Sequence, residues 1–459
     1  MEKIGLKKIY AAMVLMVAMV FLMRVPIEAG VNGIKKVLPK IAEIEFEDSD
    51  GRVILMDDAA RRIISLETSH TQNLYSLGAG HLLVGVGYQE VYPLEIGGLE
   101  KFNLEKDAEG IISANPDLVL ITPEIRRLYR DQTDILLRSG INVVSLYPER
   151  LEDLGGYLKK LGMTVGLEKK SELLFDEIMD SLEREKVGAE VGKSASFESS
   201  DMEMLLLEDS SVEASMMNYA GGIYEEDTLN ADIYFTQTGF KDLGGSLRAV
   251  YERKDSEDIK AVRKGKVYEI SKSISSPTMM MPKGVREMKR LLDPEEYRSI
   301  DYLSDESTLT REVLAEMIVT YAGMQIFYPD YSYFSEERSR YYGDFEDVKP
   351  DHEYFEYVET AVGRGILDYD FTSRGMFFNP DEAVTREDFA EAIWMMKSDF
   401  EKVREVEIED LGQCQSPRIV ERLVEAGVFE TEGNNFNPDG EVTCCQAVEI
   451  FEKIGGIND

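Results

Sequence analysis

The chain has 459 residues with 88 acidic and 51 basic side chains, a net charge of −37 at pH 7. So strong a polyanion is a poor partner for nucleic acid, whose affinity comes from neutralised phosphates, and no nucleic-acid partner is expected. With 43% apolar residues and only 14 prolines there is material for several packed cores, so the chain is neither a disordered acidic tail nor a collagenous polymer.

The N-terminus comes first. Lys3, Lys7 and Lys8 precede an uncharged apolar run from Ile9 to Met23, closed by Arg24. The run is short for a spanning helix, and with a small residue at Ala29 it reads as a secretory signal peptide over residues 1–29, an uncleaved anchor being the alternative. Either way the body of the protein is expected outside the cytoplasm.

From Gly51 to Leu146, β-branched runs alternate with helical stretches. Strands are expected at Arg62–Leu66, Leu82–Val86, Pro116–Ile121 and Ile141–Leu146. Residues 152–187 read as helix, with Leu167–Lys186 a long charged stretch without a breaker. After a polar stretch, Lys193–Asp201, strand patterns return at Glu203–Glu208, Asp232–Phe235 and Lys266–Ile270, and Gly284–Leu292 is a terminal helix. The expected fold is α/β, with two Rossmann-like lobes (51–150 and 200–300) joined by one long helix (152–187). Ligands of open α/β sheets bind beyond the carboxyl ends of the strands, so the cleft between the lobes is the expected site.

Residues 301–459 hold 37 acids and 13 bases, about two-thirds of the excess charge, which puts a boundary near residue 300. An internal repeat follows. Leu309-Thr-Arg-Glu312 recurs as Val384-Thr-Arg-Glu387 and, degraded, as Val442-Thr-Cys-Cys445. Phe378-Asn-Pro-Asp381 recurs as Phe436-Asn-Pro-Asp439, Phe345-Glu-Asp-Val348 as Ile408-Glu-Asp-Leu411, and Gly365-Ile-Leu367 as Gly427-Val-Phe429. Each Thr is expected to cap a helix, with the following Glu complementing its dipole. Arg311 and Arg386 are not needed for the cap, so their charges read as surplus to folding. All three cysteines (Cys414, Cys444, Cys445) lie in this region; buried thiols are expected, with a Cys414 bridge to Cys444 or Cys445 the alternative.

Enzyme signatures are missing. Gly85-Val-Gly87 has Glu90 where a dinucleotide fingerprint needs glycine, and the chain has neither a Walker loop, nor GxSxG, nor HExxH. No catalytic residue, metal site or resident cofactor is assigned.

Residues 45–300 resemble the substrate-binding proteins of ABC importers for ferric siderophores, haem and cobalamin. The resemblance rests on Asp50–Val53, Arg61–Leu66, Leu74–Gly80, Leu83–Val86, Ala114–Val119 and Ser139–Val144, then Asn218–Gly222, Ala261–Tyr268 and Leu291–Pro294, in that order. It implies a two-lobed clamp, an ABC permease as partner and a small metal chelate (siderophore or haem) or a corrinoid as ligand, held by loops after the strands. Those loops supply Thr68, Ser69, His70, Thr71, Tyr88, Gln89, Thr122, Glu124 and Arg126 from the first lobe. Asn218, Tyr219, Thr236, Gln237 and Thr238 come from the second, with Met279–Met281 at the edge as adaptable apolar surface. Tyr88 and Tyr219 are expected to face each other. His70 either ligates haem iron or cobalt, or only hydrogen-bonds a ligand or caps a helix. Arg126, Arg127 and Arg130 either pair with an anionic chelate or form a solvated helix face. Gln72 stands where family members usually carry a Glu that meets an Arg of the permease, and only 40 residues separate Val191 from Ala231, which suggests a shallower second lobe.

Residues 303–459 resemble surface-layer homology (SLH) repeats, at about 303–381, 382–440 and a partial 441–459. This implies an all-α module holding an acidic secondary cell-wall polysaccharide, with Arg311 and Arg386 on the sugar acid and Cys444 leaving the third site weak. The leading reading is a secreted, wall-anchored solute receptor of an ABC importer. Its competitors are a structural S-layer-associated surface protein with a degenerate ligand domain, and an extracellular enzyme on the same scaffold.

Overall fold

The structure is a computed structural model that describes residues 44–90, 92–186, 192–198, 210–238, 250–254, 256–293, 306–327, 345–350 and 352–455. The signal segment, the expected strand at 203–208 and the boundary near residue 300 lie outside the described residues.

The described chain begins with an antiparallel hairpin, β1 (Ile44–Glu47) and β2 (Val53–Met56). The first lobe then runs β3 (Ile63–Ser65), α1 (Thr68–Ser76), β4 (Leu83–Gly87), β5 (Glu100–Phe102), α2 (Ala108–Ser113) and β6 (Leu118–Ile121). It closes with α3 (Pro123–Leu128), α4 (Arg130–Arg138) and β7 (Asn142–Ser145). The strands form one parallel sheet in the order β5-β4-β3-β6-β7. Helices cover both faces of such a sheet, so its inner strands read as unbroken apolar runs, and every residue of Leu118-Val-Leu-Ile121 is fully buried. Strand β5, which the apolar pattern had not marked, sits at the edge. Gly85 admits it: a Cβ there would lie 2.2 Å from the Phe102 ring.

Two helices, not one, cover residues 152–187: α5 (Leu154–Thr164) and α6 (Glu168–Glu185). Gly166 separates them in a left-handed conformation (φ 71°), while Leu167 N–H reaches back to Gly162 O (2.8 Å) and Gly166 N–H to Met163 O (3.3 Å). This is a glycine-terminated helix end, and it overrides the favourable pattern on either side. Helix α6 buries Leu174, Ile178 and Leu182 at four-residue spacing, against α5 on one side and the second lobe's terminal helix on the other.

The second lobe contains β8 (Ser194–Glu198), α7 (Val212–Tyr219), β9 (Ile223–Tyr224), β10 (Ile233–Thr238) and α8 (Lys260–Arg263). It ends with β11 (Val267–Ser271), α9 (Lys272–Ser275) and α10 (Met281–Leu292). Its sheet is parallel, in the order β11-β10-β8-β9. Strand β8 falls in what the sequence presents as a polar stretch. Its polar side chains are buried but satisfied: Ser196 Oγ donates to Glu225 O (2.5 Å), and Glu198 accepts from Arg253 and the Tyr234 hydroxyl. Paired polar groups of this kind are tolerated in a core.

The C-terminal region has its own core. It comprises α11 (Arg311–Tyr321), α12 (Phe355–Gly363), β12 (Asp370–Thr372), β13 (Gly375–Phe377), α13 (Arg386–Met396), α14 (Pro417–Glu425) and α15 (Cys444–Lys453). The region is helical, as expected, with a short hairpin, β12–β13, between α12 and α13. Just before α11, α13 and α15, three backbone segments close a ring. Leu309 N–H donates to Val442 O (2.8 Å), Val442 N–H to Val384 O (3.1 Å) and Val384 N–H to Leu309 O (2.9 Å). The degraded third repeat thus still completes a pseudo-three-fold arrangement. The two cores meet where α10 approaches α11 and α12: Lys283 pairs with Glu356 (2.5 Å), and Arg290 Nη1 donates to Val319 O (3.5 Å).

Candidate functional site

In the first sheet the chain steps outward from β3 to β4 and β5, then returns to β6 and β7 on the other side. The reversal lies between β3 and β6, where an open sheet leaves a crevice at its carboxyl edge. A cavity of about 310 Å³ occupies that edge. Every strand of the sheet contributes to its wall: Glu67 and Thr68 after β3, Tyr88 to Glu90 after β4, Phe102 to Leu104 at the end of β5, Thr122 to Ile125 after β6, and Tyr147 and Glu149 after β7. The second lobe closes it with Lys272 and Ser273, just past β11.

Of the residues expected to bind a ligand, Thr68, Tyr88, Gln89, Thr122 and Glu124 line this cavity. Thr122 also accepts from Ile125 N–H (3.2 Å) and so caps α3. The others lie elsewhere. Ser69, His70 and Thr71 are turned into the protein and fully buried. His70 Nε2 lies 3.1 Å from Ile121 O, an acceptor only, so Nε2 carries the proton and Nδ1 accepts from the Tyr157 hydroxyl (2.9 Å). Both ring nitrogens are occupied. Burial lowers the pKa of His70 to about 4, so the ring is neutral. It is a core histidine, neither a metal ligand nor a helix cap.

Arg126 is not in the cavity wall; it lies 3.6 Å from Asp50. Arg127 lies 3.7 Å from Glu124, and Arg130 is exposed at the start of α4. Tyr219 does not face Tyr88: its hydroxyl donates to Glu183 Oε1 (2.9 Å) on α6, with Lys186 over the ring. Asn218 is exposed at the end of α7. Thr236 and Gln237 are buried, Gln237 donating to Ser275 Oγ (2.8 Å), and neither lines the cavity; Thr238 ends β10. Met281 is fully buried, with Met279 and Met280 packed on the same core.

Gln72 is buried too. Its Nε2 donates to Ser273 O (3.2 Å) and its Oε1 accepts from Thr278 Oγ1 (2.8 Å), while Asn73 donates to Pro277 O (2.9 Å). Helix α1 is therefore the joint between the lobes, and Gln72 is not exposed as a docking residue. Beside it, Lys272 and Glu67 form a buried ion pair (3.3 Å) across the same joint.

The sequence had not flagged Glu67, Glu90, Tyr129, Tyr147, Lys272 or Ser273 at the cavity. Glu90 is the most perturbed of them. Its Oε1 accepts from Gly87 N–H (3.0 Å), and the carboxyl is buried beside the Thr71 hydroxyl. Burial, reinforced by the nearby Glu67 carboxylate, raises its pKa to about 8.

The repeat motifs interlock in the C-terminal region. Asp347 accepts from Phe378 N–H (2.9 Å) and Asn379 N–H (2.7 Å); Asp410 does the same for Phe436 and Asn437 (2.7 Å each). Asn379 and Asn437 take left-handed conformations (φ 58° and 57°), which Asn tolerates better than most residues. The arginines reach the same turns. Arg311 Nε donates to Phe378 O (2.9 Å) and Nη2 to Asp368 O (2.7 Å), with the guanidinium over the Phe378 ring. Arg386 Nε donates to Phe436 O (2.7 Å) and Nη2 to Glu430 O (2.7 Å), over the rings of Phe429 and Phe436. These charges are part of the fold, not surplus to it. The capping expectation holds for Thr385 and Thr443, each in a reciprocal capping box, but Thr310 Oγ1 makes no cap bond. The Cys414 bridge is not formed: none of the three cysteines is in a disulfide.

Residues 344–390 match the S-layer homology domain family. The chain is 24% identical over 284 residues, 56% of this chain and 88% of the relative, to an uncharacterized ABC transporter substrate-binding lipoprotein, YvrC, of Bacillus subtilis. The chain resembles an ABC-importer substrate-binding protein joined to a surface-layer homology module. Among solved structures, a possible iron-binding periplasmic solute-binding protein of Staphylococcus epidermidis is 20% identical, with 51% of this chain and 99% of that chain covered and a TM-score of 0.42. The vitamin B12 binding protein BtuF of Vibrio cholerae is 20% identical, with 51% and 96% covered and a TM-score of 0.38.

Proposed function

We propose that this protein is an extracellular solute receptor of an ABC importer, exported by its N-terminal segment and held to a cell-wall polysaccharide by its SLH region. It captures a compact metal chelate in the cavity at the carboxyl edge of the first sheet and presents it to a permease. The observation that carries this reading is the cavity itself: five strand ends of one lobe converge on a space closed by Lys272 and Ser273 of the other. A volume of about 310 Å³ is at the small end for ligand sites. A chelate with a compact core suits it, whereas haem or a corrinoid, each built on four pyrrole-type rings, would project from it. The reading assigns no catalytic step.

For the wall, Arg311 and Arg386 each spend Nε and Nη2 on backbone carbonyls, and Nη1 of each makes no hydrogen bond among the described residues. That edge can meet a sugar acid, fixed in place by the bonds behind it. Cys444 stands where the third arginine would be, so two such positions are expected.

Titrating the full chain with ferric hydroxamate chelates, haem and cobalamin tests the receptor reading, with tyrosine fluorescence as readout because Tyr88, Tyr129 and Tyr147 line the cavity. One saturable site for a ferric chelate, weakened in Tyr129→Ala by roughly 1–3 kcal/mol, is expected. No saturable binding of any of the three classes would overturn it.

A further inference from the structure

Arg311 and Arg386 occupy matching places in two repeats, yet the carboxylates beside them are disposed differently. Each arginine sets its Nη2 2.7 Å from a backbone carbonyl at the same register, Asp368 O for Arg311 and Glu430 O for Arg386. Both residues that offer those carbonyls are acidic, so each guanidinium has a carboxylate one side chain away. In the first repeat it turns back: Asp368 Oδ1 also accepts from Arg311 Nη2 (3.1 Å). In the second it turns away, and Glu430 Oε2 pairs with Arg404 (3.0 Å) instead.

Arg404 is fixed where it can do this. It lies between α13 and α14, its Nε donates to Val424 O (3.0 Å), and its Nη2 donates to Phe429 O (3.0 Å). Counted back from Phe345-Glu-Asp-Val348 and Ile408-Glu-Asp-Leu411, the matching position in the first repeat is Tyr341, which carries no charge. The remaining acids are alike at the two sites and do not separate them. Asp347 and Asp410 are each held by two backbone amides. Asp370 and Glu432 each accept from the side chain of a left-handed asparagine, Asn379 (2.9 Å) and Asn437 (3.0 Å).

The two arginines therefore differ in free donors. A guanidinium has five N–H groups, and a carboxylate is held best by two parallel bonds. At Arg386, Nε and one Nη2 hydrogen are spent on carbonyls, which leaves the second Nη2 hydrogen beside those of Nη1. At Arg311, Nη2 already has two acceptors for its two hydrogens.

We infer that Arg386 is the residue that takes the carboxylate of the wall polysaccharide, that Arg404 keeps it open by holding Glu430 aside, and that Asp368 competes with the polysaccharide at Arg311. This inference rests on the wall reading above and narrows it from two equal positions to one dominant one. Arg404 is a positioning residue, because it acts on the anion through Glu430.

The test is sedimentation of the full chain with purified cell-wall sacculi, intact or stripped of polysaccharide with hydrofluoric acid, over a range of protein concentrations. Asp368→Asn alters a side chain that is 89% exposed and removes the competitor, so binding to intact sacculi should tighten about threefold, the scale of an exposed ion pair. Arg404→Gln should weaken binding by roughly threefold or more, because Glu430 can then turn onto Arg386 as Asp368 does onto Arg311. Arg404→Gln combined with Glu430→Gln should recover wild-type binding. A merely structural role for Arg404 would not allow that recovery, since its bonds to Val424 and Phe429 stay lost. Arg404→Gln that binds like the wild type, or a double variant as weak as Arg404→Gln, overturns the inference and leaves the wall reading standing. Unchanged binding by Asp368→Asn does the same. A wild-type chain that does not sediment with intact sacculi, or sediments equally with stripped ones, overturns the wall reading and the inference with it.

Discussion

His70 and Glu90 are buried ionisable groups near one another in sequence, and their shifts act on stability in opposite senses. The pKa of His70 falls from 6.5 to about 4, so between those values the unfolded chain binds a proton that the folded chain refuses; stability is lost as pH falls through that window. The pKa of Glu90 rises from 4.5 to about 8, so the folded chain keeps a proton that the unfolded chain has released, and stability is lost as pH rises through that window. Each slope is about 1.4 kcal/mol per pH unit. The two oppose each other between pH 4.5 and 6.5, and Glu90 acts alone from 6.5 to 8. Subtracting the urea-unfolding profile of Glu90→Gln from that of the wild type should therefore show a contribution that falls across pH 5 to 8 and is flat above. A flat difference throughout would mean that Glu90 ionises normally. The sequence shows that polar residues follow β3 and β4, but not which way they turn. Thr68 and Gln89 reach the cavity, while His70, two residues after Thr68 on the other side of the same helical turn, points into the core at Tyr157.

The arginines of the repeats are the other case at this scale. Arg386 bonds two carbonyls of the following turn and stacks on two rings, so Arg386→Ala should lower unfolding stability by about 2–3 kcal/mol, and its melting temperature should fall accordingly. An unchanged melt would restore the view that this charge serves only an external anion. The spacing of Thr-Arg-Glu marked the residue but not its role, because its partners, Glu430 and Phe436, come 44 and 50 residues later, at the far end of the same repeat.

Among the elements, strands β3, β4, β6 and β7 are legible because they are buried on both faces and must be apolar throughout. Strand β8 is not, because Ser196 and Glu198 satisfy their polar atoms within the fold and leave no hydrophobic signature. The continuous helix expected over 152–187 fails at a single residue, Gly166, whose left-handed conformation ends α5. A Cβ in that conformation is strained, so Gly166→Ala should cost about 1 kcal/mol or more by thermal melt. A neutral result would imply that the α5–α6 turn can relax. Helix α6 itself spans about 27 Å from its 18 residues and is packed on both lobes. With α1 hydrogen-bonded across the joint at Gln72 and Asn73, hinge closure has little room. Small-angle scattering with and without ligand should give nearly superimposable curves, and a contraction of several ångströms in radius of gyration would contradict this.

At the scale of the whole molecule, the two tasks proposed above fall to regions with separate cores. The receptor core and the repeat core are separate clusters that touch through Lys283–Glu356 and Arg290–Val319. The charge distribution suggests a division near residue 300, but nothing in the sequence points to the second-lobe wall of the cavity. Lys272 and Glu67 are 205 residues apart in sequence, and only folding brings them together. The proposed function requires the cavity to bind while the repeats hold the wall. The most direct measurement is the amount of ferric hydroxamate chelate retained by the full chain bound to purified cell-wall sacculi. The account predicts one chelate per wall-bound chain for the wild type, and wall-bound but nearly empty chains for Tyr129→Ala. Wall-bound wild-type chains that retain no chelate above the sacculi alone would contradict it.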